Sequence, residues 1–214
     1  YQFFVYHDVS ESIEENIILP MAQVMRNNNF SLIEPLKVLL KSEHFFDDSF
    51  YNSLIKSPLD FVFSITKEFD LFNGQIRNYD AERDGGYFTP PERLTNELSR
   101  SFYFFRQFEW FTGNMGMRIG QPPSVSGWPA YYQAPVYDLF WINSMTIKDR
   151  TQFTNSATQW GIWMEDGNHL VLDKVEYLLG YSNVDNLDNL IQELSDRLLG
   201  SDIPTSAKGR IKQS

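Results

Sequence analysis

The stretch 102-FYFFRQFEWF-111 decides how this chain is read. Seven of its ten residues are aromatic. At about 100° per residue they cover nearly the whole circumference of a helix. A helix that is apolar all round belongs at the centre of a protein, with other elements packed about it. The stretch therefore predicts a helical fold assembled around one aromatic helix. The competing reading leaves one side open as an aromatic groove for a sugar or another flat apolar ligand. Arg106 and Glu109 lie three residues apart and share a face, which sets them up to pair. A Glu109 buried without a partner would titrate high and serve as a general acid. A structural ion pair is the plainer reading.

Helical periodicity continues on both sides. Ile13, Ile17, Ile18, Met21 and Met25 recur at helical spacing, with Pro20 expected to kink or split that helix. Ser31 and Glu34 carry the spacing of a capping box. Ser57-Pro58 with Asp60 is a helix start: cap, first-turn proline, first-turn acid. Another helix begins at 89-TPPE-92 and runs to about Thr112. The segment 134-APVYDLFWINSMTIKDR-150 reads as a helix, and 171-VLDKVEYLLGYS-182 as a short one closed by Gly180. In 188-DNLIQELSDRLLG-200, Leu190, Ile191, Leu194 and Leu198 share one stripe, Asp188 serves as cap, and Gly200 ends the helix. The polar run 73-NGQIRNYDAERDGGYF-88 reads as a surface loop, and Asp166-Gly167 as a turn. Trp160 and Trp163 cover either the core or a groove. No segment shows clear strand alternation. The expected fold is all-α: an irregular multi-helix domain over 1–214, with a Pro/Gly/Trp-rich loop between helices.

Composition narrows the function classes. The chain has 214 residues, 18 Phe, 11 Tyr, 5 Trp, no Cys and a net charge of −10. Aromatic side chains bury large areas, so either the core is aromatic-heavy or some of this surface meets a ligand. The acidic balance excludes nucleic acid as a partner, because phosphate binding needs a basic face. The lack of cysteine excludes disulfides, thiolate metal sites and a cysteine nucleophile. No run of 18 apolar residues marks a membrane span. Neither HExxH nor an EF-hand loop nor G-x-S-x-G occurs. The glycines of 113-GNMGMRIG-120 lack the strand and the Gly-Lys-Ser/Thr of a phosphate loop. His44, Asp47 and Asp48 are the one compact set of metal-ligand types, and they read as a solvated acidic turn. No catalytic residue, metal or cofactor is assigned.

The least helical segment is 121-QPPSVSGWPAYYQAP-135. Pro122-Pro123 forces an extended backbone, and Trp128 before Pro129 is pushed the same way. The result is a stiff loop that aims Trp128 in a fixed direction. Such a loop serves a binding site, because less entropy is lost on binding. It serves equally as a plug that seals helix layers. The candidate ligand-binding residues are Trp110, Trp128, Tyr131 and Tyr132, with Arg106 and Glu109.

Four stretches taken together resemble one family: 39-LLKSEHFFD-47, 56-KSPLDFVFSI-65, 120-GQPPSVSGWPAYYQAP-135 and 141-WINSMTIKDR-150. They are similar to the bacterial family catalogued as domain of unknown function 1800. The likeness covers residues 1–150 as a family-like core and reaches 151–214, a C-terminal helical extension, only loosely. Met145 stands where the pattern calls for a polar residue. The resemblance implies a longer, mostly helical, exported protein, periplasmic or at the cell surface, with no established activity. It also implies that this chain, which opens without Met, is the C-terminal portion and packs against an upstream half. The expected function is a helical scaffold or interaction domain without catalysis. Carbohydrate or cell-envelope polymer binding through an aromatic groove is the alternative. A hydrolase site completed upstream, using Glu109 or Asp47 and Asp48, comes third.

Overall fold

The computed structural model describes residues 1–212. The chain is mostly helical, and it also carries a small three-stranded sheet, so the all-α expectation is corrected. The principal helices are α1 (Leu19–Asn27), α2 (Ile33–Leu40), α3 (Pro58–Glu68), α4 (Glu97–Asn114), α5 (Ser144–Asn155), α6 (Lys174–Leu179), α7 (Leu187–Leu198) and α8 (Thr205–Ile211). The strands are β1 (Gln75–Asn78), β2 (Ile162–Trp163) and β3 (Asn168–Val171). Among the described residues no helix is long and apolar enough to cross a membrane. The chain forms two compact units, one of residues 1–61 and 112–150, the other of 62–111 and 151–214.

In the first unit, a turn of π-helix at Glu14–Ile18 runs into α1, which takes Pro20 in its first turn. Proline has no N–H to donate, and it falls where the π turn already interrupts the regular i→i−4 ladder of a continuous helix. The Ser31 cap does not form: α2 starts after Leu32 without a side-chain cap, and Glu34 pairs with Lys37 at 2.7 Å. Ser57 does cap α3, accepting from the Asp60 N–H at 3.2 Å and donating to the Asp60 carboxylate at 2.7 Å. Met117, Ala130 and Trp141 form a buried cluster, with Ile55, Leu59 and Trp128 packed against it. Asp138 ties three segments together. Its Oδ2 accepts from the Ile55 N–H at 2.8 Å, and its Oδ1 lies 3.0 Å from His7 Nδ1.

The segment expected as one helix over 134–150 is two. A 3₁₀ turn covers Tyr137–Trp141, and α5 restarts at Ser144. Asn143 makes the break. Its Oδ1 accepts from the Met145 and Thr146 N–H groups at 2.9 and 3.0 Å. Thr146 Oγ1 in return accepts from the Asn143 N–H at 2.9 Å and donates to the Trp141 carbonyl at 3.0 Å. This reciprocal cap satisfies donors that a helix start leaves orphaned. It also accounts for Met145, which contributes only its backbone and is 65% exposed.

The second unit holds the sheet, in the order β1-β3-β2, antiparallel throughout. Leu170 of β3 faces Ile76 on one side and Ile162 on the other. Asp166 and Gly167 join β2 to β3 with φ of 47° and 75°. Two successive positive φ values make the tight hairpin turn whose twist matches the strands. Around the turn Ile162, Met164 and Leu170 are buried while Trp163 points out. β1 carries one apolar residue, Ile76, and is held by polar contacts. Gln75 Nε2 donates to Asp173 at 2.6 Å, Asn78 Nδ2 donates to the Asp166 carbonyl at 3.1 Å, and Arg77 pairs with Glu82. Its partner lies about a hundred residues away, so the segment read as a loop from local pattern alone. In α7, Asn186 rather than Asp188 is the cap, and Gly200 follows the helix end at φ 62°.

Asn143→Ala is expected to lower stability by about 1 kcal/mol, and Asn143→Asp by only a few tenths. Urea midpoints of the two variants check this.

Candidate functional site

In α4 the aromatic residues separate into two faces. Phe104, Phe108 and Phe111, at i, i+4 and i+7, are buried. They pack edge-on against neighbours: Phe108 against Phe63 at 5.1 Å, and Phe111 against Phe153 at 4.9 Å. The opposite stripe holds Phe102, Phe105, Arg106, Glu109 and Trp110. Phe102, Phe105, Arg106 and Trp110 are exposed, and Glu109 is partly buried. The expectation of a helix buried all round thus holds for one face only.

The open face borders a cleft of about 800 Å³ whose other wall comes from the end of α5 and the hairpin. After α5 the chain makes one π-helical turn, Ser156–Trp160, and leaves it at Gly161 with φ 84°. A Cβ at Gly161 would lie 2.8 Å from Val171 Cγ2 and 3.0 Å from His169 Cβ. Only glycine fits both the space and the backbone. The turn leaves Trp160 65% exposed on one side of it and Trp163 49% exposed on the other. Trp110, across from them on α4, is 42% exposed. His169 completes the wall. Its Nδ1 lies 3.0 Å from the Gly167 carbonyl and donates there.

Charge at this wall is set by Glu165. The Tyr103 hydroxyl and the Arg93 guanidinium both donate to it and hold its carboxyl below the usual carboxylate range. Arg93 also reaches Asp166 at 2.6 Å. Arg106 lies close enough to add to the depression of Glu165. Among the described residues Arg106 itself makes no hydrogen bond or ion pair.

The structure therefore brings Arg106, Glu109 and Trp110 into one cleft and adds Trp160, Trp163 and His169 to them. Trp128, Tyr131 and Tyr132 belong to the other unit. Trp128 is partly buried on the Met117–Ala130–Trp141 cluster. Tyr131 stands edge-on to Trp141 at 5.7 Å and lines a separate cavity of about 630 Å³. The Tyr132 hydroxyl lies 3.4 Å from Ser124 Oγ. In the acidic turn, His44 Nε2 lies 3.0 Å from the Tyr1 hydroxyl, and Asp47 accepts from the Ser49 N–H at 2.8 Å and from its hydroxyl at 2.6 Å.

The family model described as "Protein of unknown function (DUF1800)" matches residues 1–214. This chain belongs to the DUF1800 family. The match runs through residues 151–214, so the hairpin and both walls of the cleft lie within the DUF1800 span. The comparison with curated proteins returned no match, and neither did the comparison with solved structures.

Two outcomes test this description of the DUF1800 cleft. Gly161→Ala forces a strained φ and a clash, and should cost about 2 kcal/mol or more, read from thermal unfolding with a shift in tryptophan emission. Glu165 has a lowered folded pKa, so its contribution is present above the ordinary value of 4.5 and is lost as pH falls through the folded value. Glu165→Gln should therefore be less stable than the parent at pH 7. The gap should close on acidification below about 4.5, in denaturant melts run at each pH.

Proposed function

We propose that this DUF1800 chain is a binding domain whose aromatic cleft takes a carbohydrate chain. The observation that carries the reading is the gathering of Trp110, Trp160 and Trp163 in one open cleft. Each is exposed by two-fifths or more. Large exposed aromatic surfaces mark interaction sites. Among the described residues no ring contact joins any two of the three tryptophans, and the Trp110 ring stands edge-on to Phe111 at 4.8 Å. Space is left between the platforms, which suits a ligand of several flat units rather than one small cation enclosed in a cage. Gln107, Gln152, Arg106 and Glu109 interleave the rings. A sugar offers the same alternation, with apolar C–H faces for the rings and hydroxyls for the amide and charged groups.

Binding is proposed here in preference to glycoside cleavage. Glycoside cleavage by the common route uses two carboxyl groups, one on each side of the scissile bond. Glu109 is the one carboxylate among the residues that line this cleft. Export, and packing against a further portion of the same protein, are proposed on the family resemblance alone.

Trp160→Ala and Trp163→Ala should each weaken binding to polysaccharides about tenfold, a loss near 1.4 kcal/mol, with circular dichroism unchanged. Affinity electrophoresis against a polysaccharide panel measures this. Retention of every polysaccharide at the rate seen for a non-binding control would end the carbohydrate reading.

A further inference from the structure

We propose that the saccharide carries a carboxylate, as a sugar acid does, and that Arg106 selects it. The inference rests on the carbohydrate reading of the cleft. Its starting point is which arginines of the second unit are already occupied. Arg77 is held by Glu82, Arg93 by Glu165 and Asp166, and Arg197 by Glu68. Arg100, on the same helix as Arg106, donates to the Gly74 carbonyl and lies over the Phe72 ring. Arg106 lines the cleft and, among the described residues, keeps its guanidinium free of hydrogen bonds and ion pairs.

The carboxylate of the hairpin wall is not left over for it. Glu165 feels the charge of Arg106, but its oxygens are taken by Tyr103 and Arg93. The guanidinium therefore lines the cleft with its donors unspent. Its planar pair of N–H donors matches a carboxylate in a two-point contact, which a hydroxyl does not reproduce. Phe102, Phe105 and Trp110 stand beside it on the same stripe of α4.

Glu109 lines the same cleft and works against an anion. It is partly buried while Arg106 is exposed, so an entering ligand meets the cation first. The chain as a whole carries −10, which makes long-range attraction of an anion unfavourable. Selection must therefore be local, at one guanidinium. Two readouts follow: a dependence on that single residue, and a preference between acidic and neutral sugars of the same skeleton.

The test uses the chain as it stands, titrated with polygalacturonate, alginate and hyaluronan, with their methyl-esterified forms, and with a sulfated glycan. Parent, Arg106→Gln, Arg106→Lys and Trp160→Ala are compared. The expected result is acidic glycans bound at least tenfold tighter than their esters. Arg106→Gln should remove that preference, weakening the acids at least tenfold more than the esters. Arg106→Lys should keep part of it, and Trp160→Ala should weaken both forms alike. Equal binding of acid and ester, unchanged by Arg106→Gln, would overturn the sugar acid and leave the carbohydrate cleft standing. Binding confined to the sulfated glycan would overturn the carboxylate. Absence of binding to every glycan, or binding indifferent to Trp160→Ala, would overturn the carbohydrate reading and this inference with it.

Discussion

The second unit depends on the burial of one face of α4. Phe104, Phe108 and Phe111 occupy one stripe and pack against Phe63, Phe153 and one another. A fully buried phenylalanine is worth about 1.5–3 kcal/mol relative to an exposed one. That stripe fixes the rotation of the helix about its own axis. Once the rotation is fixed, the positions of Phe102, Phe105, Arg106 and Trp110 follow, because side chains a half-turn away must face out. The outer aromatics are exposed as a consequence of where the inner ones sit.

The facing wall is built by a different device. Two backbone constraints, Gly161 at φ 84° and the Asp166-Gly167 turn, set the directions of Trp160 and Trp163. Among the described residues neither tryptophan has a ring partner, and the backbone sets the directions in which they leave the chain. A π-helical turn before Gly161 adds to this, since such turns shift the side chains that follow relative to a regular helix. The two walls thus restrain their rings, one through packing and the other through backbone geometry. Glu165 connects them chemically. It belongs to the hairpin, takes the Tyr103 hydroxyl of α4, and senses Arg106.

Some helix starts and stops were legible from contacts close by in sequence, while the Ser31 cap did not form and the local Asn143–Thr146 cap was missed. Ser57 with Asp60, and the glycines at 180 and 200, lie where local chemistry puts them. The reading failed where the deciding partner is distant. β1 has a single apolar residue and is a strand because β3 pairs with it. Asp166-Gly167 was legible as a turn. Its flanks, with Ile162, Met164 and Leu170 turned inward, held the alternation of a hairpin over too few residues to stand out. The capping position before α7 went to Asn186, two residues early, because either side chain satisfies the same orphaned donors. For the site, Arg106, Glu109 and Trp110 were legible from one helix. Their meeting with Trp160 and Trp163 was not, because it depends on packing across about fifty residues of chain.

The stretch 121-QPPSVSGWPAYYQAP-135 shows why family and site came from different residues. Its distinctive chemistry meets the demands of its own path. Gly127 takes φ 89°, Pro129 opens a 3₁₀ turn, and Ser124 Oγ donates to the Gly127 carbonyl at 3.2 Å. Trp128 is thereby laid against Met117, Ala130 and Trp141. A loop so constrained is distinctive because few sequences satisfy it, and that makes it a good marker of descent. A surface that stacks a ligand needs only exposed flat rings with space between them. Trp160 and Trp163 have such exposure with a single constrained glycine between them.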